Sequence, residues 1–263
     1  MIIEFSKYQG CGNDFIILDN RTNHFDNLIQ KDIEWLCNRR FGVGADGLML
    51  LNKKEGVDFE MKYFNADGSE STMCGNGGRC IIQYYYNLGF HKLNYQFWAV
   101  DGMHEAEING DDNIRLKMKN VSQIYYQDRD SILDTGSPHY VKQVNTLDDI
   151  DVTELGRAIR NSKEFKEKGI NVNFVEIMDD DSIFVRTYER GVEAETLSCG
   201  TGVTAAALIS AHNERGFNRV EVNTLGGRLS VEFNKCGDAE FNDIWLIGPA
   251  KFVFKGEVEI KTT

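Results

Sequence analysis

The chain repeats itself at an offset of about 125 residues, and the landmarks of the repeat are chemical ones. "STMCGNGGRC" (71–80) and "ETLSCGTG" (195–202) each set a cysteine ahead of a glycine turn, and 199 − 74 is 125. Asn65 in "YFNADG" and Glu189 in "TYERG" are related by 189 − 65, which is 124. Asp101-Gly102 and Gly226-Gly227, each flanked by alternating apolar residues, read as hairpin turns, and 227 − 102 is again 125. Gly12-Asn13 and Gly136-Ser137 are related by 136 − 12, or 124, and both lead into apolar residues. Four landmarks in one order at one offset describe a duplicated unit. One half covers about 1–118 and the other 119–248, with 249–263 expected to return to the first half.

Within each half the reading is α+β: two pseudo-symmetric halves, each a mostly antiparallel sheet around one main helix, with the site in the cleft between them. "FIILD" (15–19) and "GLMLL" (47–51) read as buried strands, and "KDIEWLCNRR" (31–40) as a helix. Helices are expected over "RCIIQYYYNLG" and "VTAAALISAHNERG", ending at Gly89 and Gly216 as C-caps.

With 41 acidic against 29 basic residues and no dense Lys/Arg run, nucleic acid and anionic membranes are poor partners. No apolar stretch reaches the roughly 18 residues of a membrane span. The first ten residues carry Glu4 and do not read as a signal peptide. Six cysteines without that signal fit the reduced thiols of the cytoplasm. No C-x-x-C occurs and the histidines are scattered, so no metal is expected.

A cysteine at a helix N-terminus meets free backbone N–H groups and the positive end of the dipole, both of which favour the thiolate. The glycines behind it let an anion approach the backbone. Duplication sets two such thiols on opposite faces of one ligand, which suits inversion of a carbon that bears a hydrogen beside a carboxylate. A helix dipole supplies only about 0.3–1 kcal/mol. Most of the assistance must therefore come from N–H donors facing charge as it moves onto the carboxylate, roughly 3–4 kcal/mol each. Cys37, Cys80 and Cys236 are read as small buried apolar residues, and Cys11, which lacks a duplicated partner, as structural.

Taken together, "SKYQGCGNDFIILD", "FGVGADGLMLL", "YFNADGSESTMCGNGGRC", "SPHYV", "INVNFVEI", "TYERGVEAETLSCGTG" and "IGPAKFVFKGEVEI" resemble the diaminopimelate epimerase family from about Ser6 to Glu257. The resemblance implies interconversion of L,L- and meso-diaminopimelate without pyridoxal phosphate or metal, in the supply of lysine and peptidoglycan precursors. It implies a homodimer, and it matches Cys74 and Cys199 to the acid/base pair. Gly75-Asn76 and Gly200-Thr201 match the helix-start groups that hold the α-carboxylate. Asn13, Asn65, Asn171, Glu189 and Arg190 match polar substrate contacts, and His139 is a candidate orienting or structural group. Ser137 stands where many members carry Asn and Gly47 where many carry Gln, each shortening a polar contact. "GVEAET" is one residue longer than the "GAGET" common in relatives.

Three rival readings share some of these features. Proline and hydroxyproline racemases share paired-thiol chemistry but lack "GNDF" and "FNADGSE". Gly42-x-Gly44-x-x-Gly47 fits a dinucleotide motif, but it follows a helical pattern and leads into a strand, the reverse of what that motif requires. A thiol–disulfide protein would also use two facing cysteines, and here oxidation is read as a liability rather than the function.

Overall fold

The computed structural model describes residues 1–108, 113–178 and 182–260. The chain divides into two compact units, Met1–Leu116 with Pro249–Thr263, and Lys117–Gly248.

The first unit contains β1 (Ile2–Gly10), β2 (Asn13–Asp19), α1 (Gln30–Cys37), β3 (Gly47–Asn52), β4 (Phe59–Asn65) and β5 (Glu70–Ser71). Then come α2 (Gly75–Asn87), β6 (Asn94–Ala99), β7 (Gly102–Ile108) and β8 (Asn113–Lys117). The last strand of the chain, β18 (Lys251–Glu259), returns to pair with β1. Strand order is β18-β1-β2-β3-β4-β6-β7-β8, antiparallel except for β2/β3 and β4/β6. One edge of β4 is shared: β5 pairs with its end at Tyr63–Phe64 and β6 with its start at Phe59–Glu60. The chain leaves through α2 between these two pairings.

The second unit repeats that sequence of pairings. Its elements are β9 (Ile124–Gln127), β10 (Asp130–Asp134), β11 (Pro138–Gln143), α3 (Val152–Arg160), β12 (Asn171–Ile177), β13 (Ile183–Glu189) and β14 (Ala194–Thr196). They continue with α4 (Gly200–Ile209), β15 (Gly216–Thr224), β16 (Gly227–Lys235) and β17 (Phe241–Pro249). The order is β9-β10-β11-β12-β13-β15-β16-β17, with β11/β12 and β13/β15 parallel and β14 sharing an edge of β13. The fold is thus α+β and mostly antiparallel, with four helices among the described residues.

Burial explains the strand patterns. In β6 the residues alternate exposed and buried, as a strand with one solvated face must. β2 and β3 are buried on both faces, so they read as continuous apolar runs. Ile16, Leu18, Leu48 and Leu50 join Ile33 and Leu36 of α1 in one cluster. From the other face Phe15 and Met49 pack on Gly77 of α2. In β12, Val172 and Phe174 cluster with Val152 of α3, while Asn173 faces Gly202 of α4. No helix among the described residues is long and apolar enough to cross a membrane.

Three local expectations need correction. α1 stops at Cys37 rather than continuing to residue 40, because Asn38 turns the chain, its Oδ1 accepting from the backbone N–H of Arg40 and Phe41 at 2.9 and 3.0 Å. α4 stops at Ile209 with Ser210 as its C-cap, and Gly216 opens β15 instead. Beyond the cap, buried Asn218 holds the connection to β15 by accepting from the Asn213 N–H at 2.8 Å. Cys236 is exposed, not buried, because it lies past the end of β16.

Candidate active site

Both duplicated cysteines are N-caps with extended backbone: Cys74 (φ −96°, ψ 131°) for α2 and Cys199 (φ −119°, ψ 112°) for α4. Neither side chain caps its helix. The first helical bonds run from Gly78 N–H to Cys74 O at 2.7 Å and from Val203 N–H to Cys199 O at 2.8 Å. The N–H groups of residues 75–77 and 200–202 therefore lie in first turns that offer no intrahelical acceptor.

On the α2 side, Asn13 follows a tight turn in which Cys11 and Gly12 both have positive φ (52° and 82°). Asn13 Nδ2 donates to Asp46 Oδ2 at 2.6 Å, so its Oδ1 is the atom facing Cys74 Sγ at 3.7 Å. Asp46 is itself held by Arg39, which bridges it to Asp14 at 2.6 Å on each carboxylate. Burial works against the charge on Asp14, but hydrogen bonds from Arg39 and Lys7 outweigh it and bring its pKa down to about 2. Asn65 closes β4 and its turn, accepting from the Gly68 N–H and donating from its own N–H to Ser69 O, both at 2.9 Å. Gly47 pairs with Asn65 across β3 and β4. A Cβ at Gly47 would lie 2.5 Å from Tyr63 Cε2 and 2.6 Å from Phe64 O, so Tyr63 occupies the space a longer residue there would need. Asn76 is fully buried, and Arg79 Nη2 donates to its Oδ1 at 2.8 Å.

On the α4 side, Cys199 Sγ lies 3.5 Å from Thr201 Oγ1, and the Thr201 carbonyl accepts from Thr135 Oγ1 at 2.8 Å. Asn171 draws three candidates together. Its Nδ2 donates to Ser137 Oγ at 3.0 Å and its Oδ1 accepts from the Arg190 N–H at 2.9 Å. Arg190 Nη2 also reaches Ser137 Oγ at 3.5 Å. Glu189 accepts from Thr196 Oγ1 at 3.0 Å. His139 is fully buried, and burial holds its pKa down to about 3, so its imidazole is neutral at pH 7. Its Nδ1 accepts from Asn173 Nδ2 at 3.0 Å, which leaves the proton on Nε2.

The remaining thiols divide by environment. Burial pushes Cys37 up to about 12 and raises Cys80, and it raises Cys11 against the opposing charge of Arg79. These three stay protonated at neutral pH and fill core positions. The residues that sequence reasoning passed over are Asp46, Arg39, Asn173 and Arg79. The first two lie outside the repeat landmarks, and Asn173 sits two residues beyond Asn171 in β12, with no repeat landmark of its own. Arg79 carried a signal, a charge at the start of the otherwise apolar "CIIQYYY" helix.

A family model described as diaminopimelate epimerase matches residues 5–124 and 131–253. A protein of that name from Flavobacterium psychrophilum is 47% identical over 250 residues, covering 95% of this chain and 97% of its own. Another from Chlorobaculum tepidum is 43% identical over 265 residues, covering 95% and 99%. Among solved structures, a Bacillus anthracis phenazine biosynthesis protein of the PhzF family superposes with TM-score 0.80 at 16% identity over 99% of this chain and 100% of its own. A hydroxyproline epimerase from Agrobacterium vitis gives TM-score 0.69 at 12% identity, covering 98% and 92%. At those identities the structural likeness establishes a shared fold.

Proposed function

The chain belongs to the diaminopimelate epimerase family, isomerases of lysine biosynthesis, and from that premise we propose that it interconverts L,L- and meso-diaminopimelate with Cys74 and Cys199 as the acid/base pair. The observation that carries the reading is the matched N-cap position of the two cysteines, whose sulfurs are left out of helix capping in both units. In the proposed step one sulfur, as thiolate, takes the α-proton, and the electron pair left on carbon spreads onto the α-carboxylate. The other sulfur, as thiol, gives its proton to the opposite face. The two sulfurs end with their protonation states exchanged, and nothing else is consumed.

The N–H groups at the starts of α2 and α4 are proposed to hold the α-carboxylate and meet the arriving charge. Arg190 offers a planar guanidinium suited to a carboxylate, and Glu189 and Asn171 offer partners for an ammonium group. Asn13 and Asn65 are assigned to the substrate from the first unit, with Ser137 and Gly47 bordering it. The two epimerase halves are taken as 1–118 with 249–263, and 119–248. His139, fully buried, is assigned to supporting Asn173 rather than to touching substrate.

The proposal extends to a homodimer and to the cytoplasm. Phe252, Val253 and Phe254 on β18 are 50, 51 and 44% exposed, an apolar run that a second copy would cover. Reduced thiols are needed at both sulfurs, which suits the cytoplasm. The test is incubation of the reduced protein with L,L-diaminopimelate and no added cofactor, with the isomers separated by chromatography. Formation of the meso isomer is expected. Inert L,L-diaminopimelate alongside racemised proline would transfer the chain to a different paired-thiol activity.

A further inference from the structure

Arg79 is a fully buried charged group that the proposed chemistry leaves unexplained. Its side chain is fully buried, and among the described residues it forms no ion pair. Its acceptors are all neutral: Gly75 O from Nη1 at 3.2 Å, Asn76 Oδ1 from Nη2 at 2.8 Å, and Cys11 Sγ from Nη2 at 3.9 Å. Its Nε is buried without a hydrogen-bond partner among the described residues. A guanidinium taken out of water without an anion is costly, and a fold keeps one only where something repays that cost.

The duplication supplies an internal control. Since 199 − 74 is 125, the position matching Arg79 is 79 + 125, Thr204. Thr204 is also fully buried, and its Oγ1 donates to Gly200 O at 2.9 Å, the counterpart of the bond from Arg79 to Gly75 O. A neutral hydroxyl therefore performs the structural task in α4. What Arg79 adds to α2 is a full positive charge, reaching back over the first turn because helical side chains lean towards the N-terminus.

We infer that Arg79 is the buried counter-charge for a carboxylate bound at the mouth of α2, so that the α2 side attracts the anion more strongly than the α4 side. This rests on the reading of Cys74 as a site thiol, and it assigns Arg79 a positioning role through the first turn rather than contact with substrate. The other charges facing this turn nearly cancel: Asp14 and Asp46 oppose Arg39 and Lys7. Asn13 presents a carbonyl oxygen to the thiol, and Asp101 accepts from the Met73 N–H at 3.5 Å. Asp101 has His104 beside it at 3.1 Å, which leaves Arg79 as the cation of this turn that has no carboxylate partner among the described residues.

The test uses iodoacetate, which carries a carboxylate, and iodoacetamide, its neutral analogue, on the reduced full-length protein. Alkylation rates are read peptide by peptide at Cys74 and at exposed Cys236, which serves as the reference for intrinsic reactivity. The ratio of the two reagents' rates at Cys74 isolates attraction for the carboxylate from the reactivity of the sulfur. Arg79→Met is expected to lower that ratio about tenfold, equivalent to about 1.4 kcal/mol, with the ratio at Cys236 unmoved. Arg79→Lys, which keeps the charge, is expected to restore most of it. An unchanged ratio at Cys74 in Arg79→Met would overturn the inference, as would a Lys variant that behaves like the Met variant. Equal slowing by both reagents would also overturn it, since the charge would then act on the thiol alone. None of these readings depends on turnover of diaminopimelate, so failure of the epimerase assignment is scored separately.

Discussion

Replacing Gly202 by Ala tests how tightly the start of α4 is seated. A Cβ at that position would lie 2.2 Å from Asn173 Oδ1 and 3.4 Å from Cys199 Cβ. Asn173 cannot simply move aside. It is fully buried, its Oδ1 accepts from Thr187 Oγ1 at 3.0 Å, and its Nδ2 donates to His139 Nδ1 at 3.0 Å and to Tyr140 O at 3.2 Å. Either these bonds break or the first turn of α4 lifts, taking Cys199 with it. Two buried polar groups left unpaired cost about 1–3 kcal/mol each. The better helix propensity of Ala returns about 1 kcal/mol. The net loss is then about 3 kcal/mol, which corresponds to roughly 6–12 °C in Tm. The matched position in the first unit is 202 − 125, Gly77, where the nearest atom to a Cβ is Met49 Sδ at 3.3 Å. A flexible thioether gives way easily, so Gly77→Ala should shift Tm by less than about 3 °C. Differential scanning calorimetry of both variants, with epimerase rates, decides the matter. A Gly202→Ala protein as stable as its parent, or a Gly77→Ala protein equally damaged, would refute the reasoning.

Other consequences follow from the same geometry. His139 is neutral in the fold with a pKa of about 3, whereas in the unfolded chain it titrates near 6.5. Its contribution to stability is therefore whole above pH 6.5 and is lost as the pH falls from there towards 3, about 2 kcal/mol by pH 5. His139→Leu should flatten the fall in Tm between pH 7.5 and pH 5, and an unchanged slope would show that another group carries it. Asp46→Ala removes the acceptor that orients Asn13, and kcat/KM should drop at least roughly tenfold while Asp46→Asn, which can still accept from Nδ2, retains most activity; equal losses would point to charge rather than orientation. Gly47→Gln must displace Tyr63 and approach the Phe64 carbonyl, so it should lower Tm. Phe254→Asp on exposed β18 should shift sedimentation from dimer to monomer, and a monomeric parent would remove the dimer from the account.

Much of this was legible in the sequence because duplication turned weak signals into matched pairs. Cys74 alone is a cysteine before glycines; with Cys199 at the same offset it becomes half of a device. The hairpins at Gly102 and Gly227 and the buried runs of β2 and β3 were equally readable, since turn chemistry and an unbroken apolar run are both local signals. What stayed hidden depends on contacts distant in sequence. Asp46 reaches Asn13 across 33 residues, and Asn173 meets Gly202 only through packing of β12 on α4. The end of α4 lies earlier than expected for a related reason: buried Asn218, from the following strand, holds the segment after Ser210, while Gly216, the obvious terminator, serves to open that strand. Gly47 itself could be read from the sequence, but that Tyr63 fills the space beside it could not.

The central claim is that one sulfur removes the α-proton while the other delivers its own, solvent-exchangeable proton to the opposite face, and deuterium incorporation tests it most directly. The reduced protein is incubated with L,L-diaminopimelate in D₂O and the α-proton followed by NMR, in parallel with Cys74→Ala and Cys199→Ala. The account predicts loss of the α-proton signal as the meso isomer appears in the parent, and no epimerisation in either variant. Epimerisation that survives loss of one cysteine, or a parent that leaves the α-proton in place, would contradict it.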